Sequence, residues 1–323
     1  MTNYSKLEIP IEKSLNDRLQ TFWQDIFGES PDIEPGILHG EEKNYNQSTL
    51  YLIETDDLPT TTTMVTTCKQ VPELGGFSVV ATRPESRGKG LGTKLCQQSI
   101  TDFKALGGKA LFLGTVNPNA EKIYHRLGWQ KLASSIIWVN ITDLRSPEKF
   151  LIDYFDNDFT SIKIQEGNAS ARIPIIPLIA YPHDLQILDS NLGLFSSRYG
   201  IVRSCMGLYP KYNNLRNNKM GNWFVALDER QRVVGLSSAS LDNKDGCQID
   251  GFIYGNSRSH WIELINTAIA WAHSIGVSRI YSNVSPSDAI RKLLLESMGF
   301  IQTGSGPTFN LDGQTIESLR MDL

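Results

Sequence analysis

Between residues 48 and 140, short runs of β-branched and aromatic residues alternate with stretches whose apolar positions recur every three or four residues. The runs at 50–54, 62–68 and 77–82 are separated by turn-forming residues and predict a meander of three strands. Next, Leu91, Leu95, Ile100, Phe103 and Leu106 line one face of a predicted helix, and Gly107 and Gly108 stand where it should end. Residues 110–116 read as a buried strand. Asn117 followed by Pro118 is an N-cap with proline at the first helical position. Ala120, Ile123, Tyr124 and Leu127 form that helix's apolar face and Gly128 its stop, after which 129–139 supply the last strands.

The same order recurs in the second half. Residues 222–227, 233–241 and 247–254 are strand-like; 261–275 form a helix closed by Gly276; 279–284 read as a strand; and Ser285-Pro286 opens a helix ending at Gly299. Leu127-Gly128-Trp129 matches Met298-Gly299-Phe300 at a shift of 171 residues, so the chain reads as an internal repeat. The expected domains are 1–150 and 151–323, with Arg145-Ser146-Pro147-Glu148 as punctuation and 161–165 as the first strand of the second copy. The fold class is α/β with mixed sheets.

Composition narrows the function. The chain has 323 residues and a net charge of −4, ordinary globular values that exclude collagen, coiled coil and simple disorder. Residues 1–150 carry 16 Lys+Arg against 18 Asp+Glu and residues 151–323 carry 15 against 17, so neither half is a basic reservoir and nucleic acid is not an expected partner. Cys68, Cys96, Cys205 and Cys247 form no C-x-x-C pair, and the five histidines (His39, His125, His183, His260 and His273) have no metal spacing, so no metal is expected. Residues 1–20 lack an apolar leader core and no run is long enough to span a membrane, which predicts a cytoplasmic protein with no membrane partner.

The segment that carries chemistry is Arg87-Gly88-Lys89-Gly90-Leu91-Gly92-Thr93, between a strand and the long helix. A helix N-terminus offers unpaired N–H groups and partial positive charge, and glycines beside it let phosphate oxygens approach the backbone. Arg87 and Lys89 add positive charge. A nucleotide P-loop needs G-x-x-x-x-G-K-[ST] and a dinucleotide fingerprint G-x-G-x-x-G; both fail on register, since the glycines fall as G-x-G-x-G.

This stretch resembles the Q/R-x-x-G-x-G/A signature of the GNAT superfamily of N-acetyltransferases. Residues 80–84 are similar to that family's fourth strand and the turn after it. The series Asn117, Ala120, Tyr124, Gly128, Trp129 resembles its downstream N-x-x-A-x-x-(L)Y-x-x-(L)GF helix. The resemblance covers 48–140; over 161–323 it rests on element order and the helix ending. It implies two tandem GNAT-like domains, with acetyl-CoA bound as co-substrate by the first. The pyrophosphate would lie on Gly88, Lys89, Gly90, Leu91, Gly92 and Thr93 beside Arg87, and the pantetheine arm along Val80, Ala81 and Thr82. Tyr124 falls where many members protonate the departing thiolate; packing is the alternative for a tyrosine on an apolar face. Asn117 is a pantetheine contact or simply the helix cap.

The resemblance breaks at the general base. Many members carry a glutamate where this chain has Gly76, and Glu73, Glu54, Asp56, Asp57 and Ser78 are the substitutes within reach in sequence. In the second copy Asn256, Ser257, Arg258, Ser259, His260 and Trp261 stand opposite the motif with no glycine, and Leu295 replaces the tyrosine, which predicts a copy that does not hold acetyl-CoA productively. Tyr181, Pro182, His183 and Asp184, with Arg198 and Arg203, are loop residues that could line a pocket, and no chemistry is attached to the threonine run 60–63. The expected function is acetyl transfer to a small-molecule amine by direct attack through a tetrahedral intermediate. The alternative is a non-catalytic acyl-CoA binding or sensing protein.

Overall fold

The computed structural model describes residues 4–28, 35–143, 145–156, 161–242, 245–255 and 258–323. They form two compact units: unit 1 is mainly residues 1–132 and 137–150, unit 2 mainly 151–203 and 208–323.

Unit 1 runs β1 (Ser5–Glu8), α1 (Lys13–Phe27), α2 (Pro35–Leu38), β2 (Asn46–Thr55), β3 (Leu58–Cys68), β4 (Leu74–Thr82), α3 (Leu91–Ala105), β5 (Ala110–Gly114), α4 (Pro118–Arg126), β6 (Gln130–Lys131) and β7 (Ile137–Ile141). Its seven strands pair in the order β1-β2-β3-β4-β5-β7-β6. All neighbours are antiparallel except β4 and β5, which are parallel. Strand alternation sorts the side chains between two cores. Tyr51, Ile53, Val65, Phe77, Leu111 and Leu113 face α3 and α4, together with Leu95, Ile100, Phe103 and Tyr124. Leu50, Leu52, Met64, Val79 and Ala81 face the other side, where Leu19, Phe22 and Trp23 of α1 cover them. The three-strand meander, both predicted helices and their glycine stops are therefore present. Helix α1 is an addition to the sequence reading, and its signal was the helical spacing Leu15, Leu19, Phe22, Trp23, Ile26.

Unit 2 contains α5 (Pro147–Phe155, begun in unit 1), β8 (Ile162–Glu166), α6 (Ile175–Ala180), β9 (Ile187–Asp189), β10 (Leu194–Phe195), α7 (Leu208–Asn217), β11 (Gly221–Asp228), β12 (Val233–Leu241) and β13 (Gly246–Ile253). After these come α8 (Arg258–Ser274), β14 (Arg279–Val284), α9 (Ala289–Ser297), β15 (Ile301–Ser305), β16 (Phe309–Leu311), β17 (Gln314–Ile316) and β18 (Leu319–Asp322). Its large sheet has the order β8-β11-β12-β13-β14-β18-β15, again antiparallel except for the one parallel pair, β13 with β14. Strand for strand this is the pairing order of unit 1, so the repeat read from the helices extends to the whole sheet. One helix start differs from expectation: α9 begins at Ala289 with Asp288 as N-cap, because Ser285 and Ser287 are taken up in a turn in which Asp288 N–H donates to the Ser285 carbonyl.

Candidate active site

In unit 1 the parallel pairing of β4 with β5 stops after three residue pairs, from Leu74–Ala110 to Gly76–Phe112. Beyond it, residues 77–82 of β4 run on with no strand on that side, which leaves backbone N–H and C=O groups along an open edge. A bulge shapes this edge. Met64 pairs with Ser78 but Thr62 pairs with Ala81, so β4 gains a residue there, and Val79 takes a φ of 49°, a left-handed conformation that a β-branched residue adopts only when its surroundings impose it. The Thr62 hydroxyl donates to the Val79 carbonyl at 2.6 Å and itself accepts from Trp23 Nε1 of α1 at 3.0 Å. The threonine run is thus part of β3 and pins the bulge, a role that its sequence did not disclose. Around the same bulge the buried hydroxyls of Thr61, Thr63 and Ser78 have no hydrogen-bond partner among the described residues, and buried polar atoms left unpaired in this way cost stability until something pairs them.

Because the bulge resets the alternation, Val80 and Thr82 fall on the α3 side, where Val80 packs against the core. The Ala81 side chain is buried in the opposite core and offers its backbone alone to the edge. The edge leads to the glycine loop. Arg87 Nε donates to the Thr82 carbonyl at 3.0 Å, which ties the loop to the strand end while leaving Lys89 exposed. Gly88 and Gly90 have φ of +77° and +75°, Gly90 being the N-cap of α3, and a Cβ on either would meet nothing within 4 Å. Their conformation calls for glycine, and the space they face is open. Gly92 is different: it lies in the first turn of α3, where a Cβ would come within 3.3 Å of Thr82 Oγ1. Leu91, Gly92 and Thr93 are half-buried and contribute the first N–H groups of the helix, which have no carbonyl partner within it. The loop therefore offers an anion a positive helix end, two cationic side chains and an unobstructed backbone.

Tyr124 projects from α4 into the core beneath the edge. It is 5% exposed, edge-on to Phe77 with ring centroids 6.5 Å apart, and 5.7 Å from Trp129. Burial pushes its pKa far up, with the neighbouring Cys96 thiol adding to the effect, so the phenol is protonated at neutral pH. Asn117 is a helix cap: its side-chain oxygen accepts from Asn119 N–H at 3.0 Å.

Among the carboxylates considered as bases, none is at the bulge. Glu54 is ion-paired with Arg18 at 3.1 Å, Asp56 and Asp57 form the left-handed turn between β2 and β3, and Glu73 precedes β4 at the end away from the loop. Ser78 alone lies at the bulge, and Gly76 is buried between Thr66 and Phe112.

The corresponding split in unit 2 also ends after three parallel pairs, from Gly246–Arg279 to Gln248–Tyr281, but β12 and β13 pair without a bulge. Counting from the first parallel pair, Asp250 stands where Ser78 stands in unit 1; at the shift of 171 residues, Arg291 stands where Ala120 does. These two substitutions fill the split. Arg291, 1% exposed, donates to Asp250 at 2.9 Å, to the Leu188 carbonyl at 3.2 Å and to the Gly251 carbonyl at 3.1 Å. Trp261 Nε1 donates to the same Gly251 carbonyl at 3.0 Å. Trp261, which the alignment placed opposite the glycine loop, turns inward and occupies the strand edge. Asn256 and Ser257, in the segment opposite the glycine loop, lie outside the described residues. Of the loop cluster noted from sequence, Tyr181, Pro182, His183, Asp184 and Arg198 line one pocket, while Arg203 pairs with Asp312 away from it.

The FR47-like protein family matches residues 57–139. No curated protein sequence matches the chain. Among solved structures, the ribosomal-protein-S5-alanine acetyltransferase of Vibrio fischeri is similar at 13% identity, covering 52% of this chain and 94% of that one with a TM-score of 0.41. The ribosomal-protein-alanine N-acetyltransferase of Brucella melitensis has 17% identity, 50% and 98% coverage and a TM-score of 0.40. The spermidine N-acetyltransferase of Vibrio cholerae has 18% identity, 51% and 94% coverage and a TM-score of 0.40. Motif order, a mixed sheet split at its parallel pair and the FR47-like match over β3 to β7 agree, and residues 57–139 of this chain carry the GNAT-like fold.

Proposed function

We propose that unit 1 is an acetyl-CoA-dependent N-acetyltransferase that acts on a small amine. The observation that carries this reading is the continuous path from the open edge of β4 at the Val79 bulge to the glycine loop at the start of α3. The groups present fit the co-substrate: an amide-bearing arm finds unpaired strand N–H and C=O groups, and a pyrophosphate finds a helix end where Gly88 and Gly90 leave the approach clear. When bound, acetyl-CoA supplies an activated acetyl thioester. The chain's own part is to orient it along the edge and to keep a proton on Tyr124 for the leaving sulfur. With none of the candidate carboxylates at the bulge, the acceptor must bring its nitrogen already partly neutral. That favours amines whose pKa lies nearer the α-amino value, about 7.7–8, than the lysine value, about 10.4.

Unit 2, with Arg291 and Trp261 on its strand edge, is read as a copy that does not hold acetyl-CoA. Calorimetric titration of the full chain with acetyl-CoA is therefore expected to give one site per chain. Two sites would refute the assignment of unit 2, and no binding would refute that of unit 1. Replacing Tyr124 with Phe separates transfer from packing: kcat is expected to fall about 100-fold with acetyl-CoA affinity kept, because a general acid contributes on the order of 10² or more. Unfolding stability should change by no more than about 1 kcal/mol, since the ring and its contacts stay. An unchanged kcat would make Tyr124 a packing residue. That none of the candidate carboxylates stands at the bulge also supports the second reading, an acyl-CoA sensor. That reading predicts binding without turnover across a panel of amines.

A further inference from the structure

A pocket of about 420 Å³ lies in unit 2 at the outer end of its strand split, between the end of β13 and the N-terminal ends of α8 and α9. Its inner end is closed by Arg291, which takes the strand edge that a long co-substrate arm would need, so what remains is a recess of small-molecule size. Tyr181, Tyr254 and Trp261 supply ring surface; the two tyrosine rings meet edge-on with centroids 4.9 Å apart.

The electrostatics of the lining are uneven. Asp184 is ion-paired with Arg198, and Arg291 with Asp250. That leaves Asp288, 4% exposed, whose carboxylate accepts the backbone N–H groups of Gln186 at 2.6 Å and Ile187 at 3.2 Å and has no cation within ion-pair distance among the described residues. Burial pushes its pKa up, and the charge of nearby Arg291, itself paired with Asp250, acts in the opposite direction without cancelling it. His183 is the second signal. It is 6% exposed, and its Nε2 lies 2.7 Å from the Leu178 carbonyl, an acceptor, so Nε2 carries the hydrogen. Desolvation brings the ring's pKa down to about 4, which keeps the imidazole neutral and Nδ1 a bare acceptor with no partner among the described residues. The pocket thus presents electron-rich rings, one carboxylate outside any ion pair among the described residues and one imidazole nitrogen able to accept a hydrogen bond.

We propose that this pocket binds a small protonated primary amine, its ammonium N–H groups taken by Asp288 and by His183 Nδ1 and its apolar body resting on the Tyr181 and Tyr254 rings. Attraction of ammonium to aromatic faces and charge-assisted hydrogen bonds act together here. An anion at the start of α9 is disfavoured because Asp288 already stands at that helix end. The inference rests on unit 2 alone and holds whether or not unit 1 transfers acetyl groups.

The test is calorimetric titration of the full chain with phenethylamine at about pH 7.5, where the amine is protonated. Three comparison probes are used: 2-phenylethanol, 3-phenylpropionate and the N,N,N-trimethyl analogue, which keeps the charge but has no N–H to donate. The amine is expected to bind with a sub-millimolar Kd, at least about tenfold tighter than any comparison probe. Ile290→Trp, at a pocket residue that is 52% exposed and so tolerant of a larger side chain, should abolish binding, and Asp288→Asn should weaken it about tenfold or more. No binding at about 10 mM, equal affinity for the alcohol or the carboxylate, or binding untouched by Ile290→Trp would each overturn the proposal. Trimethyl and primary amines binding equally would remove His183 from it and refute the primary-amine class.

Discussion

Gly90→Trp is expected to lower acetyl-CoA affinity by about 100-fold or more while leaving the chain folded, because hydrogen bonds to a charged pyrophosphate are worth about 1.5–3 kcal/mol each and the indole removes access to more than one. The two halves of this expectation come from different observations. Access is lost because a side chain at Gly90 enters the open space at the start of α3, where no protein atom lies within 4 Å of the Cβ position. The fold survives because that same emptiness means no clash, and the remaining cost is the left-handed backbone at φ +75°, about 1–2 kcal/mol for a residue with a Cβ. Calorimetry with acetyl-CoA and a thermal melt on one sample separate the two. If affinity is retained in a folded variant, the pyrophosphate does not lie on this loop and the proposed cofactor site is wrong. Gly92→Ala is a graded companion: its methyl would press on Thr82 Oγ1 at 3.3 Å, within the first turn of α3, so a smaller loss is expected from a smaller intrusion.

What was legible in the sequence follows from the range of each interaction. The glycine loop, the helix after it and the Asn117 cap are local: each is specified by residues within a few positions of one another, and each is found where expected. The Val79 bulge is not local. It depends on the register of β3 against β4, on the Thr62 hydroxyl reaching the Val79 carbonyl, and on Trp23 arriving from α1, so a run of four threonines conveyed only strand propensity. Similarly, Asp250 and Arg291 are 41 positions apart, and no local pattern marks either as buried; an arginine on a helix is ordinarily at the surface until the strand opposite it is known. The repeat was visible because helix periodicity and glycine stops survive divergence, whereas the groups that decide whether a copy is open or closed are single side chains. Between β8 and β11, unit 2 contains α6, β9, β10 and α7 where unit 1 has α1 and α2 between β1 and β2, and sequence reading found none of these segments. Their apolar residues belong to short pieces whose partners are distant strands.

Arg291→Ala is expected to destabilise unit 2 by about 3–5 kcal/mol, the largest stability effect of any single change considered, because it strands a buried carboxylate instead of merely removing a contact. Asp250 would keep the Ser190 N–H at 2.7 Å and the Gly251 N–H at 2.7 Å but lose its counter-charge, at 1% exposure. Asp189 sharpens the effect. Buried beside Asp250, its pKa is raised, chiefly by desolvation and then by that neighbouring negative charge. A carboxyl whose pKa is higher folded than unfolded contributes stability that is complete below the unfolded value and lost as pH rises through the folded one. With the arginine cation gone, protonating a buried carboxyl relieves the stranded negative charge, so the deficit of Arg291→Ala should be smaller at about pH 5 than at about pH 8. Urea unfolding at both values measures it; a deficit that is the same at both, or under about 1 kcal/mol, would mean that the ion pair is not what holds the split closed. The double variant Asp250→Asn with Arg291→Met should recover most of the loss, since a buried pair replaced by groups of similar volume is often near neutral. In that double variant the strand edge at Gly251 retains the Trp261 indole, so acetyl-CoA stoichiometry is expected to stay at one per chain even with the arginine gone.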